Sequence, residues 1–168
     1  MKTHKLAPDL FVAKVIDIPL DKLKAMQKKA MIFDLDNTIT EWNNPDIKDD
    51  IIEWFELLRN HEISACLVSN NKGPRVMEAA EKLGIPFVAK ATKPRRRAFR
   101  KALEVLGSGP KETVVVGDQI FTDILGGNRM GLYTILVSPI SSKEYIGTRI
   151  MRRIERLALN RLGIKHRT

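Results

Sequence analysis

A single cysteine, Cys66, stands in the 168 residues, so no intrachain disulfide can staple the fold and a packed core has to hold it. That thiol lies inside an apolar run, where a buried, inert role is expected. Nowhere do about 20 apolar residues follow one another, the length a bilayer-spanning helix needs. The apolar patch near the N-terminus, Leu10 to Ile18, is broken by Lys14 and Asp17 and has no small-residue cleavage site after it. It therefore does not read as a signal peptide. These absences fit a reducing cytoplasm. Internal repeats, low-complexity segments and long linkers are also missing.

The length suits one domain with one core. We expect a single unit over residues 1–168, with its core at about 30–140 and basic extensions at both ends. The net charge is +9 and uneven: Lys93 to Lys101 holds six basic residues and no acidic one. Residues Lys143 to Thr168 hold eight basic and two acidic, which leaves the rest of the chain net acidic. Local basicity of this kind points to an anionic partner, whether phosphate, nucleic acid or an acidic membrane, or to a solvated basic face.

Between these ends, short apolar runs alternate with helical patterns. Met31 to Leu35 reads as a strand, followed by a helix with Ile51, Phe55 and Leu58 on one face. Ile63 to Val68 is a second strand, and Pro74 to Leu83 a helix that Gly84 stops. Pro86 to Ala89 is a weak third strand, and Pro94 starts a helix with Phe99, Ala102, Leu103 and Leu106 turned inward. Thr113 to Gly117 is a β-branched strand, Thr122 can cap a short helix, and Leu132 to Val137 is the last strand. Before Lys28, Leu20 and Asp21 can staple and cap a short helix in an extra layer. Strands alternating with helices imply an α/β fold, a three-layer sandwich around a parallel sheet buried on both faces. In such sheets ligands bind at the carboxyl ends of the strands.

The strand ends carry the polar residues. The first runs into Asp34-Leu35-Asp36-Asn37-Thr38, two carboxylates on one side of the chain that repel unless a cation intervenes. The second ends at Ser69-Asn70-Asn71, a phosphate cradle or an ordinary turn. Lys93 precedes Pro94 at a helix start, where a cation opposes the helix dipole unless an anion binds between them. Among Arg95, Arg96 and Arg97 it can equally be a solvated lysine. The valine-rich strand ends at Gly117-Asp118 and reaches Asp123. Those oxygen donors suit magnesium, and Asp123 can also serve as a first-turn helix acid.

In this order and spacing, the four elements resemble the haloacid dehalogenase (HAD) superfamily over residues 30 to 140. The Asp-Leu-Asp-Asn-Thr form and Ser-Asn-Asn are similar to its class IIIA branch. The Lys-Pro-Arg-Arg-Arg segment and basic ends resemble the YqeG-type phosphatases, which are related to phosphatidylglycerophosphate phosphatases. The resemblance implies a HAD-like Rossmannoid fold and a hydrolase of phosphate monoesters. Asp34 would be the nucleophile that forms an aspartyl-phosphate, and Asp36 the acid and base. Ser69, Asn70 and Lys93 would hold the phosphate, with Lys93 also catalytic. Asp34, Asp36 (through its carbonyl), Asp118 and Asp123 would serve Mg2+. Thr38 to Ser69 and Ser69 to Lys93 are too short for a cap domain, so the site should be open to a large substrate or be covered by an oligomer partner.

The implied substrate class is a phospholipid. An apolar stripe of Ile150, Met151, Ile154, Leu157, Ala158 and Leu162 beside Arg149, Arg152, Arg153 and Arg156 suits peripheral contact with an anionic membrane. It suits a helix docked on the domain equally well. A phosphatase of soluble sugar or nucleotide phosphates is the competing enzyme reading. A non-catalytic nucleic-acid-binding module is the third, with no recognition motif or aromatic stacking pattern behind it.

Overall fold

The computed structural model describes residues 5–141. The apolar and arginine stripe from Arg149 to Leu162 lies outside them, as does any test of its docking. Six strands form one sheet: β1 (Leu10–Val12), β2 (Ala30–Phe33), β3 (Ser64–Val68), β4 (Phe87–Val88), β5 (Thr113–Gly117) and β6 (Tyr133–Val137). All pair in parallel, in the order β1-β6-β5-β2-β3-β4. The central strands are buried along their whole length, as a sheet covered on both faces requires.

Alternation along β2 divides the core. Met31 and Phe33 face one side, with α2 (Asp49–Asn60) and α3 (Pro74–Leu83). Phe33, Trp54 and Phe55 meet there edge-on or tilted, with ring centroids 5.0 to 5.9 Å apart. Ile32, Cys66 and Val115 face the other side, against Ala98, Phe99, Ala102 and Leu103 of α4 (Arg96–Leu106). Burial pushes the Cys66 thiol up to about 12, which keeps it protonated and unreactive. The short α5 (Leu125–Met130) lies close on α4, and a Cβ at Gly126 would stand 2.3 Å from Phe99. No helix among the described residues is long and apolar enough to cross a membrane.

Three local expectations are corrected. The N-terminal patch contributes an edge strand, β1, in register with β6 (Leu10 opposite Ile135), and then α1 (Leu20–Ala25), whose N-cap is Pro19 rather than Asp21. The helix expected from Pro94 begins at Arg96, because Asn70 Oδ1 accepts from the Lys93 N–H (2.7 Å) and holds that segment as a loop. The Lys93–Pro94 peptide in it is cis. Thr122 does not cap a helix: Ile120–Ile124 forms a π-turn, and the Thr122 hydroxyl donates to Gln119 Oε1.

Strand order fixes where a ligand can sit. From β2 the chain moves outward through β3 and β4, then returns to the other side of β2 with β5 and β6. The reversal between β2 and β5 opens a crevice at their carboxyl ends.

Candidate active site

Asp34 leaves β2 at that crevice, its N–H still donating to Val116 O of β5 (2.9 Å). The chain then turns sharply over residues 35–40: Ile39 and Thr40 both donate to Leu35 O, and Asn37 adopts φ 59°, which asparagine tolerates. This turn carries Thr38 back over the strand ends, where its hydroxyl lies 3.5 Å from both Asp34 Oδ2 and Asp118 Oδ1. Asp118 follows β5, and the π-turn returns Asp123 to the same place. That return needs Gly117, because a Cβ there would stand 2.3 Å from the Asp123 carboxyl.

Lys93 closes the floor. Its Nζ lies 2.6 Å from both Asp34 Oδ1 and Asp123 Oδ1, with a side chain only 3% exposed. Burial opposes the ammonium charge, but Asp123 and Asp34 together more than offset this and raise its pKa. For Asp34 burial is the largest influence and pushes the carboxyl up to about 7, against the pull of Lys93 and with a further push from Asp123. The whole grouping follows the chemistry of a site for a cation and an anion. Asp34, Asp118 and Asp123 offer ligand oxygens within 4.8 Å of one another. One ammonium serves two of these buried carboxylates while the third adds to the negative charge. A hard divalent cation fits that donor set.

Ser69 and Asn70 stand at the end of β3. The Ser69 hydroxyl accepts from Asn71 N–H (3.1 Å), and the Asn70 side chain clamps both the N–H and the carbonyl of Lys93. Asn70 thus reaches the site through the lysine it positions. Asp36 points away from the floor toward the mouth. Its carboxylate pairs with Arg75 and accepts from the Asn71 amide and from Asn43 N–H. Asp34, Asp36, Ser69, Asn70 and Lys93 all line one cleft of about 350 Å³, together with Trp42 and Gln119. Asp118 and Asp123 lie beneath it. Between Asp34 and Ser69 the described elements are α2 and β3, and between Ser69 and Lys93 they are α3 and β4. All four belong to the sheet or its flanking layers, so no inserted domain covers the cleft.

Sequence reasoning passed over Arg75, and named Asn71 only as part of the Ser69-Asn70-Asn71 strand end, without its contact to Asp36. A signal for Arg75 was present: it is a cation in the first turn of α3, a turn with no acidic residue. The dipole argument applied to Lys93 would have flagged it as well.

The arrangement is a buried carboxylate at a strand end, a buried lysine on it, and two further aspartates behind. It defines a hydrolase of the HAD-like class. The comparisons agree. The HAD-hydrolase-like family model matches residues 90–144. The cobalt-bound deoxy-D-mannose-octulosonate 8-phosphate phosphatase of Haemophilus influenzae shares the fold. It superposes with a TM-score of 0.55 at 15% identity, covering 83% of this chain and 92% of that one. The probable phosphatase YqeG of Bacillus subtilis is 45% identical over 94% of this chain and 92% of its own length. The mitochondrial phosphatidylglycerophosphatase GEP4 of Saccharomyces cerevisiae is 31% identical over 77% of this chain and 76% of its own. The chain is a HAD-type phosphatase and belongs to the YqeG family.

Proposed function

We propose that this phosphatase is Mg2+-dependent, works through an aspartyl-phosphate on Asp34, and hydrolyses a phospholipid monoester of the phosphatidylglycerophosphate type. The observation that carries the chemistry is Lys93 bridging Asp34 and Asp123 beside Asp118, at the base of an open cleft. Asp34 attacks phosphorus while the bond to the leaving oxygen breaks, and Asp36 gives that oxygen its proton. Asp36 then takes a proton from the water that cleaves the acyl-phosphate. Lys93 and the Ser69 hydroxyl hold phosphate oxygens. Asp34, Asp118 and Asp123, with the Asp36 carbonyl, would hold Mg2+. When bound, that ion neutralises the charge that keeps a carboxylate from a phosphate dianion.

The lipid reading rests on the relationship to a phosphatidylglycerophosphatase and on the surface around the cleft. Arg95, Arg96 and Arg97 are exposed at the start of α4, which begins at the same sheet edge as the site. Trp42, 41% exposed, stands at the cleft rim. Exposed arginines and an exposed tryptophan on the side of the sheet that carries the cleft suit an anionic bilayer. Assays with phosphatidylglycerophosphate in anionic vesicles beside sugar phosphates and nucleoside monophosphates test this. We expect the lipid to turn over fastest, only with Mg2+, and more slowly as salt rises. Faster turnover of a soluble phosphate, with the lipid untouched, would overturn the lipid reading.

A further inference from the structure

A second hollow adjoins the catalytic cleft. It encloses about 440 Å³ and is lined by Trp42, Asn43, Asn71, Lys72, Arg75 and Glu78 among others. Trp42 and Asn71 belong to both spaces. The boundary between them is an ion pair, with Asp36 on the cleft side and Arg75 on the side of the hollow.

That pair is an odd arrangement for an acid–base residue. Three donors occupy the Asp36 oxygens: the Arg75 guanidinium, the Asn71 amide and Asn43 N–H. So held, the carboxylate faces these protein donors rather than a leaving oxygen. Arg75 is itself poorly placed as a structural residue, because in the first turn of α3 its charge opposes the helix dipole. It is nonetheless kept there with only 18% of its side chain exposed, with a second contact to Asn44 O (3.4 Å). The leaving group departs on the side away from Asp34, past the residue that protonates it. Beyond Asp36 lie two cations, Lys72 and Arg75, against one acid, Glu78.

We infer that the hollow is the leaving-group subsite and that Arg75 is its receptor for a second anionic group, a phosphodiester carried by the leaving group. On substrate entry the guanidinium exchanges Asp36 for two diester oxygens, which match its planar fork. The exchange removes the one charged donor from Asp36 and leaves only the Asn71 amide and Asn43 N–H, neutral contacts that the carboxylate can give up to face the leaving oxygen. The inference deepens the proposed function and rests on its assignment of Asp36. Arg75 is a positioning and specificity residue.

The test compares glycerol 3-phosphate, which lacks the diester, with the deacylated headgroup glycerophosphoglycerol phosphate, which has it. A third arm uses intact phosphatidylglycerophosphate in vesicles. Wild type should favour the diester-bearing soluble substrate by about tenfold or more. Arg75→Ala should lose about 10- to 100-fold in kcat/KM on it, and on glycerol 3-phosphate should raise kcat, because the guanidinium no longer holds Asp36 away from the leaving oxygen. Arg75→Lys should recover part of the loss. Arg75→Gln carries the same comparison if the alanine variant does not fold. Equal losses on both soluble substrates, or no wild-type preference, would overturn the subsite. The lipid arm separates the two readings. A diester preference without turnover of the vesicle lipid sinks the lipid reading and leaves the subsite standing. Lipid turnover with equal losses does the reverse.

Discussion

The floor and the mouth of the cleft each pair one aspartate of the Asp34–Asp36 turn with a cation, and the two pairs are built differently. In the floor, Lys93 and Asp34 are 3% and 10% exposed, and the lysine is fixed through its backbone by Asn70 and through its ammonium also by Asp123. In the mouth, Asp36 and Arg75 are 14% and 18% exposed, and their supports come from loops and the start of a helix. On the proposed function, the floor, anchored on the ends of central strands, would handle what all phosphate monoesters share. The mouth, held by loops and a helix start, would meet what distinguishes one monoester from another. A rigid electrostatic base beneath an exchangeable contact lets one chemistry serve a chosen leaving group.

Substitution in the floor should have the largest effect. Asp34→Asn keeps the shape and removes the nucleophile, so phosphate release should fall by about 10⁴-fold or more, with the protein still folded. Single-turnover phosphate release would check this, and substantial residual activity in pure protein would remove Asp34 from its role.

The next effect concerns the cation. Mg2+ at about a hundred times its Kd should stabilise the protein by roughly 2.7 kcal/mol, read as a rise in melting temperature, and Asp118→Ala should abolish the rise. A pH dependence accompanies it. Asp34 titrates near 7 in the fold against an ordinary value of 3.8, so the unfolded chain releases this proton first. The contribution of Asp34 to stability is therefore full at low pH and lost as pH rises from about 4 to about 7. In EDTA the melting temperature should show that decline, and Asp34→Asn should flatten it. A melting curve indifferent to both Mg2+ and pH would contradict a buried carboxylate site.

The smallest effect tests whether the floor is as tightly built as the contrast requires. Gly117→Ala should cost about 1–3 kcal/mol and lower activity, because the new methyl displaces Asp123. Gly109→Ala, whose Cβ would have Glu112 as its nearest neighbour at 3.9 Å, should change stability by no more than about 0.5 kcal/mol. Equal melting temperatures for the two variants would mean that the floor yields like the mouth.

What the sequence disclosed follows the same division. The strand Thr113–Gly117 was legible to the residue because burial on both faces leaves an unbroken β-branched run. Asp34, Ser69, Lys93 and Asp118 were findable because they follow apolar runs at the ends of strands or just beyond them. Arg75, and the contact of Asn71 with Asp36, were missed because both depend on Asp36, 39 and 35 positions away, a pairing that no local pattern records. The π-turn at Ile120–Ile124 was invisible for a related reason. Its shape serves the Asp123 contacts with Lys93 and with Gln119 N–H (3.3 Å), which override local helix preference. The strand β1 is three residues long, and its partner is the last strand of the sheet.

That last pairing bears on how the chain is made. β1 emerges from a ribosome before the other described strands, yet the strand it joins, β6, starts at Tyr133 and sits in the sheet beside β5. Leu10 and Val12 must therefore wait through the synthesis of nearly the whole described chain before they are covered. During that wait β2, β3 and β5 can already associate, so the strands that carry the cleft floor can pair before β6 and β1 are added. A nascent chain halted before Tyr133 would present the central strand β5 as an uncovered flank, open to pairing with other chains.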